Sequence, residues 1–201
     1  MRTIITIITI LLFTACSNTE PKPNHETMNK SETKEMKSLK KALSIYTQAT
    51  INNDSETLVT FIYPKAFTVV PKKEILKMLK RTFASGKVPK IENVKHIKIE
   101  KVQKFDDGLY SIITSSMNTI IKSPRPDDLE FEEDRLKKLQ KRLSSRGKVT
   151  LDKERHLFNI QHTNKTIAVN EDGSWKFIGF KQAEKYISNG IFPLTLIEKL
   201  N

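Results

Sequence analysis

Apolar side chains recur every three or four positions through residues 36–52, where Met36, Leu39, Leu43, Tyr46 and Ala49 form one stripe. That spacing predicts an amphipathic helix. Asn52-Asn53-Asp54-Ser55 breaks the stripe, and Asp54 or Ser55 suits the cap of a short second helix over 56–62. Pro64 closes that element, 66–70 reads as a short β-prone piece, and Pro71 opens a third helix. Proline fits a first helical turn because its missing N–H has no intrahelical partner there. Ile75, Leu76, Met78, Leu79 and Phe83 make the inward face of that helix, and Ser85-Gly86 ends it.

The period then changes from helical to extended. Residues 94–105 and 109–122 read as two long strands joined by Asp106-Asp107-Gly108, whose glycine suits a tight hairpin. A third strand covers 155–169, and a second turn, Glu171-Asp172-Gly173, leads to a fourth over 174–181 that carries Trp175. Between the second and third strands, 123–150 behaves as an insertion opened by Pro124 and Pro126. Within it, acidic residues from Asp127 to Asp134 precede basic residues from Arg135 to Arg146, the order that a helix dipole favours. Leu129, Leu136, Leu139 and Leu143 supply a narrow apolar stripe, so a helix is expected over 127–144. The acidic run lacks the glycine-bearing loop of an EF-hand and reads as a helix start. The apolar residues after 181, from Ile187 to Leu200, predict a tail packed on the domain. The fold class is α+β: N-terminal helices on a strongly bent antiparallel sheet, with a helical insertion between long strands.

Charge changes this picture little. The chain carries a net +12, a balance that suits nucleic acid or an anionic membrane surface. The lysines are nonetheless dispersed: Lys72, Lys73, Lys77 and Lys80 ride on a helix, and Lys95, Lys98, Lys101 and Lys104 follow a strand. With no zinc-finger spacing, RNA-binding aromatic signature or basic zipper, nucleic acid is not the expected partner. The one cysteine, Cys16, leaves no pair for a disulfide and no thiolate metal site.

That cysteine ends the stretch MRTIITIITILLFTAC. Arg2, the apolar run 4–13 and two small residues before Cys16 resemble a bacterial lipoprotein signal peptide with its lipobox. The run is too short to span a bilayer, which takes about 20 apolar residues. Phe13 departs from the leucine common three positions before the cysteine. The resemblance implies cleavage before Cys16, acylation of its thiol, and a bilayer as partner. The chain then divides into a signal peptide (1–15), a lipidated Cys16 with a polar disordered spacer (16–35) and one α+β domain (36–201). Ser17 resembles the outer-membrane-sorted class, on the non-cytoplasmic side of a bacterial envelope.

From about Leu39 to Lys181 the element order resembles the nuclear transport factor 2-like, cone-shaped α+β superfamily. The residues that carry this are 39–46, 71–83, the Asp106-Asp107-Gly108 turn and Asp172-Gly173-Ser174-Trp175-Lys176. The resemblance implies a sheet wrapped around helices with a pocket at its wide end, in a superfamily of isomerases, dehydratases, cyclases and non-catalytic binding domains. Period-two alternation puts His156, Phe158, Ile160 and His162 on one face of the third strand. If that face is concave, His156, Phe158 and His162 line the pocket, with Tyr110 and Asn118 on the neighbouring strand. A histidine there is a possible general base, while a rim position would leave it merely solvated. No P-loop, G-x-S-x-G elbow, H-E-x-x-H or cofactor motif occurs. The expected function is therefore non-enzymatic binding of a small apolar ligand or a protein partner. The alternatives are a cyclase- or dehydratase-type enzyme using a strand histidine, and a scaffold that uses the 127–144 helix as its contact. The mass of the protein extracted from its own membranes tests the anchor: Cys16–Asn201 plus acyl chains is expected, and an unmodified chain beginning elsewhere would remove it.

Overall fold

The structure, a computed structural model, describes residues 32–86, 88–105, 108–180 and 183. Cys16, the signal stretch, most of the polar spacer and the apolar tail after 183 lie outside them. Helix α1 runs Lys34–Ile51, and the Thr33 hydroxyl caps it by accepting from Met36 N at 3.2 Å. Such a cap satisfies one of the helix's orphan N–H donors. Asp54 does the same for α2, Ser55–Thr60, accepting from Thr57 N at 3.1 Å and from its hydroxyl at 2.6 Å. A 3-10 turn, Pro64–Thr68, leads to α3, Lys72–Ala84, which has Pro71 at its cap.

Strands β1 (Lys90–Ile99), β2 (Gln103–Phe105) and β3 (Gly108–Lys122) follow. Helix α4, Leu129–Leu143, comes next, then β4 (Gly147–Asp152), β5 (Leu157–Asn170) and β6 (Lys176–Gly179). The fold is α+β: one open six-stranded antiparallel sheet with helices packed on it. Its path is β1-β3-β5-β4, with β2 also on β3 and β6 also on β5. The β3–β5 ladder runs without a break from Leu109↔Asn170 to Lys122↔Leu157.

Residues opposite one another in that ladder share a face, and each face has its own cover. On the first, Leu39 and Leu43 of α1 pack on Ile113, Ala168, Trp175 and Phe177. Further along the same face, Leu143 of α4 packs with Val149 and Ile160, flanked by Leu136 and Leu139. The other face holds Tyr63, Tyr110, Ile112, Ile167, Val169, Ile178 and Ala183. Trp175, just before β6, donates its indole N–H to Ser38 Oγ at 2.8 Å, tying the end of the sheet to α1.

Four local expectations are corrected. The β-prone piece 66–70 falls in and just after the 3-10 turn, where Ala66 N donates to Tyr63 O and, among the described residues, no strand pairs with it. The predicted strand 94–105 begins earlier and divides into β1 and β2 around Glu100-Lys101-Val102, both parts pairing with β3. The insertion yields a strand as well as a helix, because 147–152 pairs with β5. Finally, Leu129 is 53% exposed, and the inward stripe of α4 begins at Glu132, which is fully buried.

Gly147 sits opposite His162 where the strands approach closely. A Cβ there would strike the Gln161 carbonyl oxygen and lie 2.8 Å from His162 Cβ, whereas one at Gly179 meets open space. Gly147→Ala is therefore expected to destabilise the fold by about 1–3 kcal/mol, as overpacking does, with Gly179→Ala close to neutral. Urea unfolding midpoints check this, and equal midpoints for the two variants would contradict the close approach.

Candidate functional site

The five pocket residues expected from sequence do not converge. Phe158 and His162 lie on the face of β5 that α4 covers, and both are buried. Tyr110 belongs to the opposite face, inside the core, and its hydroxyl donates to Gln103 Oε1 at 2.9 Å. Asn118 is exposed on that same opposite face, beside Gln161. His156 precedes β5 in the β4–β5 turn and is the only one of the five at a hollow on the α4 side. Cys16 lies outside the described residues.

Two of the histidines are structural. His96 spans from β1 to α1 and β3, with Nε2 3.1 Å from Thr47 Oγ1 and Nδ1 2.8 Å from Ser115 Oγ. Burial pushes its pKa below the ordinary imidazole value. His162, 3% exposed, is lowered by burial and then by the Arg146 charge.

An apolar opening lies where α1, α2, α3 and β1 meet. Leu58, Phe61, Ile62, Leu79, Phe83, Val88 and Ile91 line it together with Tyr46 and Phe177, and Thr50, Asn53 and Thr82 offer polar atoms. Its volume is about 110 Å³. Tyr46 and Phe177 stack at 4.7 Å between centroids, and Phe61 lies edge-on to Tyr46 at 5.8 Å. These contacts fix the aromatic wall, since tilted and edge-to-face rings are favoured geometries. Among the described residues, neither a carboxylate nor an imidazole lines the cleft. A shallow polar groove of about 290 Å³ occupies the bare end of the opposite face, with Glu92, Asn118, Lys148, Thr150, Asn159 and Gln161 along it.

A third feature pairs α4 with the β4–β5 turn. His156 Nδ1 lies 3.3 Å from both carboxylate oxygens of Glu132, with hydrogen-bond geometry to Oε2. His156 has φ +53°, a left-handed conformation uncommon outside glycine. The turn is held by Asp152, whose carboxylate accepts from Arg155 N at 3.0 Å and from Arg155 Nε at 2.6 Å. Ser123 N also donates to His156 O at 2.9 Å. Arg135 stands over the Phe158 ring at 5.5 Å, closing the α4 side. The acidic run counts Glu132 only as part of a helix start, but 132, 136, 139 and 143 continue one helical stripe, so a carboxylate occupies an apolar position.

Among the described residues no group of three or more histidine, cysteine or acidic side chains is placed to hold a metal ion. Among them, too, no helix is long and apolar enough to cross a membrane. The chain matches no family model, no curated protein and no solved structure.

The lowered pKa values of His96 and His162 set a pH dependence. Between the folded pKa and the ordinary 6.5 the unfolded chain binds more protons, so stability rises with pH there. This contribution is complete above pH 6.5 and is lost as the pH falls through the folded values. The urea midpoint is expected to be level above pH 6.5 and to decline below it, with a shallower decline in the His96→Gln, His162→Gln double variant. An unchanged slope in that variant would assign the effect to other groups.

Proposed function

We propose that this chain is an exported lipoprotein, held to a bacterial envelope membrane through acyl groups on Cys16, whose domain binds a small apolar ligand in the cleft between α1, α2, α3 and β1. The cleft's composition carries the reading. Its walls are aliphatic and aromatic, with no carboxylate or imidazole among the described residues that line it. Thr50, Asn53 and Thr82 offer hydrogen bonds to a polar head while the body of the ligand rests on Leu58, Phe61, Leu79 and Phe83. About 110 Å³ is well under the roughly 300–1,000 Å³ of a drug-sized site, which favours a short chain or a single ring.

The nuclear transport factor 2-like assignment is part of this proposal and rests on the order of elements. So are the outer-membrane address and the disordered spacer, which rest on the sequence around Cys16. A scaffold role for the inserted helix is less favoured, because Leu136, Leu139 and Leu143 are spent on the sheet.

Calorimetric titration of the protein with n-alcohols of increasing length tests the cleft. Affinity is expected to strengthen by about 0.8 kcal/mol per added CH₂ until the cleft is full and then to level off. Thr82→Trp, which fills the opening from α3, is expected to abolish binding with the fold intact. Absence of saturable binding, or binding untouched by Thr82→Trp, would sink the reading.

A further inference from the structure

The Glu132–His156 pair lies away from the apolar cleft and calls for its own account. Glu132 is fully buried, and its Oε1 lacks a hydrogen bond. A buried carboxylate is costly unless a partner compensates it, and His156 faces it from a backbone conformation that a side chain adopts at an energetic cost. The imidazole is 34% exposed, and it lines an open hollow of about 480 Å³ together with Pro126, Leu129 and Lys153 and the carboxylates Asp127 and Glu154, which favour a neutral substrate over an anionic one. With Nδ1 engaged by the carboxylate, the neutral ring carries its proton there and leaves the Nε2 lone pair for a ligand. Lys153 Nζ is held by Glu133 at 2.8 Å, and that carboxylate raises its pKa, so the ammonium stays charged. Leu129, 53% exposed beside Pro126, offers an apolar rest for a short chain.

We propose that Glu132, His156 and Lys153 form a second site, a hydrolytic one, for small neutral acyl esters. In this assignment His156 Nε2 takes a proton from a water as the water oxygen bonds to the acyl carbon, and the carbonyl electron pair moves to its oxygen. Lys153 faces the oxyanion, and Glu132 holds the imidazolium through Nδ1–H. Collapse of the tetrahedral intermediate reforms the carbonyl and breaks the bond to the alkoxide, which takes the proton back from Nε2. Ester and water become acid and alcohol, with no further reactant. His156 is the catalytic base, and Glu132 is a positioning residue.

The test is hydrolysis of p-nitrophenyl butyrate and p-nitrophenyl acetate by the full chain. Butyrate is expected to be the better substrate, and Leu129→Ser to remove that preference. His156→Gln is expected to lower kcat/KM at least a hundredfold, within the ordinary range for loss of a general base. Glu132→Gln is expected to lower kcat with KM unchanged, a split that a purely structural role would not produce. If either buried-pair variant fails to fold, Lys153→Met, at an exposed position, decides: a tenfold or greater fall supports the site. Wild-type rates in His156→Gln or in Lys153→Met, or no hydrolysis above the buffer rate in the unaltered chain, would overturn it. Failure here leaves the apolar cleft untouched, since none of these residues lines it.

Discussion

The pairing of β3 with β5 is the constraint on which the rest depends. Fourteen residues of each strand stay in register from Leu109↔Asn170 to Lys122↔Leu157, and every other strand attaches to one or the other. Because side chains alternate in a strand, a slip of one residue would exchange the two faces. Towards Asn170 both faces are apolar, Ile113 and Ala168 on one and Ile112 and Ile167 on the other. Towards Leu157 only one is: Phe158 and Ile160 lie under α4, and Asn159 and Gln161 face the opposite way. That asymmetry fixes the register, since a slip would put carboxamides beneath the helix.

The two covers on the first face differ in kind. Helix α1 closes its end with apolar contacts and two polar ties, Trp175 to Ser38 and His96 to Thr47. Helix α4 closes the other with leucines at 136, 139 and 143 but brings a carboxylate to the fourth inward position. Burying Glu132 against a single histidine stabilises the packing less than a leucine of similar size would. Local departures of this sort gather where a fold does chemistry. The apolar cleft shows the contrary design, with aliphatic and aromatic walls and hydroxyls or a carboxamide at a few points.

Much of this architecture was legible in the chain. The helical stripes of α1 and α3 and the acid-to-base order of α4 each mark an element that forms within two or three residues of its expected bounds. The Asp172-Gly173 turn forms as its residues suggest, with Gly173 at φ +85° and Asp172 accepting from Ser174 N. The β4–β5 hairpin escaped notice for the same physical reason reversed: its left-handed position is taken by His156, so no glycine marks the turn. The candidate pocket failed at the level of faces. Alternation places Phe158 and His162 together, but register places Tyr110 and Asn118 across the sheet from them, and register is a property of pairing that one strand does not carry. The apolar cleft draws on α1, α2, α3 and β1, which follow one another in the chain, but its lining residues sit on separate faces of these elements and Phe177 comes from β6, so no single periodic pattern announces it.

Hydrogen–deuterium exchange of the full-length chain, with and without a saturating short-chain alcohol, tests the central claim most directly. The account predicts that the amides of β3 and β5 exchange slowest in both states. Added protection should be confined to the parts of α1, α2, α3 and β1 that border the cleft. Protection centred on the groove at Asn118, Asn159 and Gln161, or fast exchange across β3 and β5, would contradict it.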